Sequence, residues 1–288
     1  MQKLIAIVGP TASGKTALGI SIAQKIDGEI INGDSRQIYA GFPATTAKPS
    51  EEELAAIPHH LIGTHPIERS ISVTEYKELV EATIADITAR GKIPIIVGGT
   101  GHWIDAVLYN QTFPEVPPDD ELREELYAKD TEVLYAELSE KDPRRASELD
   151  PHNKKRLVRA LEIVETLGAV PDVSAPLLAY DATIIGVSWP DDILRKRIEE
   201  RTDALLPTIL VETEEGLTTL SDTRAQELGF DFTLPRSFVR GEFKTKEEFL
   251  MRFNAALWQY SRRQLRWFKR RSTDIEWMGI EEAMGKYA

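Results

Sequence analysis

Gly9-Pro10-Thr11-Ala12-Ser13-Gly14-Lys15-Thr16 decides the fold. The stretch fits G-x-x-x-x-G-K-[ST]. The apolar run Leu4 to Val8 precedes it, and Leu18, Ile22 and Ile26 follow at helical spacing. Strand, glycine loop and helix in that order predict a phosphate cradle. Gly9 and Gly14 let the backbone curl so that the amides around Thr11, Ala12 and Ser13 point inward, and the helix start adds partial positive charge at the same spot. Lys15 then supplies a full charge to an outer phosphate, and the Thr16 hydroxyl is placed to ligate a magnesium ion. The alternative is an ordinary strand-to-helix turn, against which the Lys-Thr pair in register after the second glycine speaks. The motif does not choose among phosphate compounds.

The chain has 288 residues, enough for one large domain or a domain with an insertion. Its net charge of −12 argues against broad, non-specific binding to nucleic acid, while leaving room for a local basic patch. It contains no cysteine, which excludes disulfides, thiolate zinc sites and a cysteine nucleophile. The run at Leu4 is short and leads straight into the glycine loop, so it reads as a core strand and not as a signal peptide. No apolar run approaches membrane-spanning length. A cytoplasmic, monomeric enzyme without a membrane partner is the expectation.

Downstream, Gly28 to Gly33 reads as a second strand ending in Asp34-Ser35-Arg36-Gln37. In doubly wound sheets chemistry collects at the carboxyl ends of the strands, which puts Asp34 near the phosphate loop and makes it the leading general base. Its alternative role is a helix N-cap. The adjacent His59 and His60 point apart on an extended chain, so a structural role is favoured over metal binding. Pro94 to Val97 reads as a third strand running into Gly98-Gly99-Thr100-Gly101. Phosphate-loop hydrolases close such a strand with an acidic magnesium ligand. Here glycines and Thr100 stand in that place. Either the small residues let a backbone approach a ligand, with the Thr100 hydroxyl as a donor, or they form only a tight turn.

Prolines at 114, 117 and 118 introduce charged helical segments without a strand. Residues 113–171 are therefore expected to be an all-helical insertion in an α/β core formed by 1–112 and 172–288, a parallel sheet flanked by helices of the P-loop type. The sheet resumes at Thr183 to Val187, and a helix carrying Arg195, Arg197 and Arg201 follows. Two basic clusters stand out in this acidic chain. One is Lys154 to Arg159; the other places Arg262, Arg263, Arg266, Lys269 and Arg270 on one side of a helix expected over 253–271, opposite Trp258, Leu265 and Phe268. Such stripes suit a phosphodiester backbone, with Trp267 available to pack or stack; the alternative is a solvated helix face.

Together GPTASGKT at 9–16, DSRQIY at 34–39, TAKP at 46–49, PHHLI at 58–62, GGTG at 98–101 and RRQLRWF at 262–268 resemble the tRNA dimethylallyltransferase family, in order and over nearly the whole chain. The resemblance implies transfer of a dimethylallyl group from its diphosphate to the exocyclic amine of the adenosine next to the anticodon. It implies that the loop holds the pyrophosphate of that donor, with Lys15, Thr16 and magnesium, Thr100 and Arg201 neutralising the leaving group and Asp34 accepting the proton. It further implies that Asp34, Ser35, Arg36, Gln37 and Thr100 grip an adenine turned out of the anticodon stem-loop. Arg123, Lys155, Arg156, Arg159, Arg262, Arg263, Gln264, Arg266, Trp267 and Lys269 would then contact the tRNA. The chain departs from the pattern at Asp231, where a basic residue is usual after the Gly-aromatic pair, at Glu200, and over Pro207 to Thr219. A P-loop small-molecule kinase using ATP shares the loop but leaves GGTG and the C-terminal stripe unexplained. An RNA-binding protein with a vestigial loop leaves Lys15, Thr16, Asp34 and Thr100 unexplained.

Overall fold

In the computed structural model, residues 1–172, 177–270 and 274–288 are described. The first part of the chain runs β1 (Lys3–Val8), α1 (Lys15–Ile26), β2 (Gly28–Asn32), α2 (Glu51–Ala56), β3 (His59–His60), α3 (Val73–Ala89), β4 (Ile93–Gly98) and α4 (Gly101–Leu108). Four helices follow: α5 (Asp120–Ala128), α6 (Thr131–Lys141), α7 (Pro143–Glu148) and α8 (Lys154–Leu167). The remainder is β5 (Asp181–Val187), α9 (Asp191–Thr219), α10 (Asp222–Leu228), α11 (Phe230–Val239), α12 (Lys246–Lys269), β6 (Glu276–Met278) and α13 (Ile280–Tyr287).

All six strands pair in parallel, in the order β3-β2-β4-β1-β5-β6. The period of two along each strand separates two cores. Leu4, Ala6 and Val8 of β1, with Ile31, Ile96 and Ile184, pack against Tyr76, Val80 and Ile84 of α3 and Ile104 and Val107 of α4. Ile7, Ile30, Ile95 and Ile185 face the other way, onto Leu18 and Ile22 of α1 and Ala283 of α13. Central β1 is thus buried on both faces, which is why it reads as a continuous apolar run. The α/β fold, with its all-parallel sheet flanked by helices, is as expected.

Two strands escape sequence reading because they are short. The histidine pair, expected in a loop, forms edge strand β3 beside β2, with Ile30 opposite His59. Its structural role holds: His60 Nε2 lies 2.7 Å from Glu29 Oε2 and His59 Nδ1 2.8 Å from Ile57 O. No group of three or more His, Asp or Glu side chains that could hold a metal occurs among the described residues. The three residues of β6 extend the sheet beyond β5. Helix α9 runs through Pro207 without a break, and α12 starts at Lys246, earlier than expected; Arg271 lies outside the described residues.

The chain divides into two compact units, Met1–Asn110 with Leu177–Ala288, and Gln111–Pro176. The second has its own core of Leu126, Leu134, Leu138, Leu157 and Leu161, built from α5 to α8. Its deepest charge is Glu162, whose carboxylate accepts from Asp119 N (2.8 Å) and from Arg123 and Arg159. Burial opposes ionisation of Glu162, yet the Asp119 amide and the two arginines hold its carboxyl below the usual range. Among the described residues no helix is long and apolar enough to cross a membrane.

Candidate active site

The carboxyl ends of β1, β2 and β4 meet at one place, and short hydrogen bonds fix their relative positions. Gly33 N donates to Val97 O (2.8 Å) and Thr100 N to Gly33 O (3.1 Å), joining the ends of β2 and β4. Thr100 Oγ1 accepts from Ser35 N at 3.0 Å and makes no cap to α4. The hydroxyl is therefore part of the site's framework and not a plain helix cap. Asn32 Oδ1 accepts from Asp34 N (2.9 Å), and Asp34 Oδ1 accepts from Arg36 N (2.9 Å). Asp34 thus closes a local turn with one oxygen, and no helix follows for it to cap. Its Oδ2 has no hydrogen-bond partner among the described residues, and the side chain borders two cavities.

The glycine loop curls as its composition demands. Gly9 has φ 148°, and a Cβ there would lie 2.4 Å from Val187 O, so the loop can lie against β5 only because that position is glycine. Gly14, at φ 96°, turns the chain into α1. Three side chains from distant sequence brace the outside of the loop: Trp189 Nε1 donates to Ser13 O (2.9 Å), Arg197 Nε to Ala12 O (2.8 Å), and Gln264 Oε1 accepts from Thr11 N (2.8 Å). Gln264 lies in the RRQLRWF stretch, for which the resemblance implied an RNA contact, and no motif signals Trp189 or Arg197.

The larger cavity, about 500 Å³, opens over the loop and is lined by Lys15, Thr16, Lys48, Gly98, Gly99 and Arg201 among others. It concentrates cations without neighbouring acids in equal number. Burial depresses the Lys15 ammonium to about 7, with Asp34 opposing and Arg201 reinforcing the shift. Lys48 is lowered to about 8 by burial, and burial also lowers Arg201. Cations crowded into a partly desolvated pocket are stabilised by an anion, and Lys15 Nζ meanwhile donates to Pro10 O (2.5 Å). Thr16 Oγ1 lines this cavity with no protein partner among the described residues. Its hydroxyl could serve as a ligand to a magnesium ion bound together with phosphate.

A narrower cavity of about 70 Å³ shares Thr11, Ala12, Asp34, Thr46, Ala47 and Arg201 with the first and continues between Ile198, Leu205, Ile209, Phe253 and Leu257. Arg201 stands at the junction, donating to Thr11 Oγ1 (3.2 Å) and Ala47 O (3.3 Å). Glu212 holds the wall in place by accepting from Ala44 N (2.7 Å) and Thr45 N (2.8 Å). Tyr260, Asp231 and Arg36 complete the lining, and none of the three side chains is engaged in an ion pair among the described residues.

Thus the structure brings together Asp34, Ser35, Arg36, Gln37, Thr100, Arg201 and the loop. It treats the expected RNA contacts unevenly. Gln264 is buried and also donates Nε2 to Gly99 O (3.0 Å), so its amide is engaged inside the protein instead of facing RNA. Trp267 Nε1 donates to Asp105 (2.9 Å), and its ring lies where a Cβ on Gly101 would be, 2.1 Å from Cδ1. Gly99 and Gly101 therefore admit side chains of α12 and Gly98 admits the backbone of Gly33, while Gly98 and Gly99 also line the larger cavity. Arg123 and Arg159 are tied to Glu162, and Arg262 to Asp191 (2.5 Å). Lys155, Arg156, Arg263, Arg266 and Lys269 are exposed and carry no ion pair among the described residues.

The chain is similar to known proteins over most of its length. A family model described as IPP transferase matches residues 37–271. A tRNA dimethylallyltransferase of an Exiguobacterium species is 40% identical, over 92% of this chain and 87% of the relative. Among solved structures, a tRNA isopentenylpyrophosphate transferase from Bacillus halodurans superimposes with TM-score 0.73 at 30% identity, covering 99% of this chain and 94% of the other. A eukaryotic dimethylallyltransferase, described as acting on tRNA, gives TM-score 0.83 at 26% identity, covering 100% of this chain and 77% of the other.

Proposed function

Because this chain belongs to the IPP transferase family, we propose that it transfers a dimethylallyl group from dimethylallyl diphosphate to the exocyclic amine of an adenosine in tRNA, the one adjacent to the anticodon. The observation that carries the reading is the shared wall of the two cavities. A phosphate cradle and a partly apolar slot meet at Asp34 and Arg201, where a donor's reactive carbon and an incoming amine would face each other.

In this reaction the C–O bond between the allylic carbon and the diphosphate breaks, its electron pair leaving with the diphosphate. The amine nitrogen forms the new C–N bond and gives up one proton. The departing oxygens develop charge, which the loop amides, Lys15 and Arg201 neutralise from fixed positions. Thr16 would hold a magnesium ion, which would supply further charge neutralisation at the diphosphate. Asp34 takes the amine proton on the oxygen that no protein group occupies. The Thr100 hydroxyl, held by Ser35, keeps the Asp34 turn and the end of β4 in register.

An adenine stacked in a loop of RNA cannot reach this depth, so it must be turned out of the stack. Lys155, Arg156, Arg263, Arg266 and Lys269 are the side chains left available for phosphates of the stem-loop. The test is mass analysis of nucleosides from tRNA incubated with the protein, magnesium and dimethylallyl diphosphate. Dimethylallyl-adenosine is expected; its absence, with tight magnesium-dependent binding of ATP instead, would overturn the reading in favour of a kinase.

A further inference from the structure

We infer that Asp231 is a positioning and specificity-determining residue whose unpaired carboxyl group holds the edge of the acceptor adenine opposite Asp34. The inference rests on the function proposed above. Asp231 lies in the first turn of α11, directly after the Gly229-Phe230 bend, and its side chain lines the narrow cavity together with Asp34, Arg36, Arg201 and Tyr260. It has no hydrogen-bond or ion-pair partner among the described residues, although arginines face it from several elements. Arg36 and Asp34 lie on the turn after β2, Arg201 on α9, and Arg263 and Tyr260 on α12. A carboxyl group that passes over three guanidinium groups and remains unbonded is available for a ligand.

The cavity contains two carboxyl groups with different surroundings. Asp34 is anchored by the backbone of its own turn. Burial pushes Asp231 up to about 7, with Asp34 adding to the shift and Arg36, Arg201 and Arg263 opposing it. A buried carboxyl group raised in this way is held in its protonated form over more of the pH range than an exposed one. A neutral carboxylic acid presents an O–H donor and a C=O acceptor side by side. That pair matches an adenine edge, where a ring nitrogen accepts and the exocyclic amine donates its second hydrogen. On the edge that carries N7, guanine sets a carbonyl where the amine would be, so the acid's C=O meets an acceptor. The side-chain amide best suited to the same task, Gln37, already donates Nε2 to Ala47 O (2.9 Å). Ionised Asp231 loses the donor and repels the ring nitrogen's lone pair, so acceptor binding is strongest below about 7 and fades above it.

The test measures transfer to an anticodon stem-loop RNA from about pH 6 to about pH 9 with dimethylallyl diphosphate saturating, so that donor-side titration, as of Lys15, does not enter the KM for RNA. Above the Asp231 transition that KM is expected to rise about tenfold per pH unit. Asp231→Asn, which keeps a donor and an acceptor, is expected to rescue the low-pH KM to within about threefold and to abolish the rise. Asp231→Ala is expected to raise the low-pH KM about tenfold or more and to leave it flat with pH, while kcat at saturating RNA changes less. Diphosphate binding by each variant controls for folding. A pH-independent KM in the unaltered protein, or an Asn variant that keeps the rise or loses as much as the Ala variant, would overturn the inference alone. If the unaltered protein prenylates no RNA, the proposed function fails and the inference with it.

Discussion

Replacing Gln264 by alanine tests whether the phosphate loop depends on a brace from the far end of the chain. Its Oε1 accepts from Thr11 N at 2.8 Å and its Nε2 donates to Gly99 O at 3.0 Å, and the residue is 5% exposed. Truncation orphans two backbone groups in a site with little water. Each such group costs about 1–3 kcal/mol. Thr11 and Gly99 both border the larger cavity, so each of the two groups can regain a water in part. The combined effect on unfolding free energy is therefore expected at about 2–3 kcal/mol, nearer the lower end of the sum. Donor affinity should fall as well, because Thr11 also accepts from Arg201, and a loop that shifts carries that contact with it.

Gln264→Glu sharpens the test. It keeps an acceptor for Thr11 N but turns an oxygen toward the Gly99 carbonyl and adds negative charge beside the diphosphate cradle. It should bind dimethylallyl diphosphate more weakly than the alanine variant, although it restores the bulk. Urea denaturation gives the stability change and isothermal titration the donor affinity. Unchanged values for Gln264→Ala would show that the loop holds its shape unaided, and a glutamate variant as good as the native protein would refute the donor role assigned to Nε2.

Asp34→Ala is expected to retain stem-loop binding while losing about 10²-fold or more in turnover, the scale of a lost general base; a near-normal single-turnover rate would remove Asp34 from that role. RNA affinity should fall with salt, each neutralised phosphate adding about −0.7 to −0.9 to the log–log slope. Arg266→Ala should flatten that slope by about one such step, as filter binding at several salt concentrations would reveal. The Arg90 guanidinium bonded to it holds the Glu29 carboxyl at about 2 against the usual 4.5. The group is depressed in the folded state, so its contribution is complete above 4.5 and disappears as pH falls toward about 2. Denaturant titration across that window should show Glu29→Gln losing less stability on acidification than the native protein does.

What could be read in advance was local. The glycine loop, the apolar run of β1 and the helical spacing of Leu18, Ile22 and Ile26 lie within one β-α unit, and short-range sterics fix their conformation. Asp34 was legible because β2 ends there and the carboxyl ends of parallel strands gather chemistry. Gln264 was misjudged because it sits in a basic stretch, yet 253 residues separate it from the Thr11 amide it accepts from. The same distance hides why Gly99 and Gly101 are glycines: the space a Cβ would need is occupied by Gln264 and Trp267. Arg123 and Arg159 look like free cations in sequence, and only the burial of Glu162 shows what they neutralise. Strands of two and three residues, as in β3 and β6, leave no periodicity to detect.

The position of Arg201 explains how one site can serve two chemically unlike substrates. A diphosphate needs a polar cradle rich in donors, whereas a five-carbon allyl group and a purine ring need apolar walls, and a single uniform pocket would serve one at the expense of the other. Here the guanidinium reaches the Thr11 hydroxyl on the loop and the Ala47 carbonyl on the opposite wall, while Ile198, Leu205 and Ile209, from the same stretch of helix, face the narrow slot. Helix α9 thereby offers charge toward the phosphate end and hydrocarbon toward the other. The bond to be broken would lie where those two surfaces meet, beside the free oxygen of Asp34. Shortening the reach without removing the charge, as in Arg201→Lys, gives up the second donor and the planar fork, so it should weaken coupling between the two ends more than it weakens diphosphate binding.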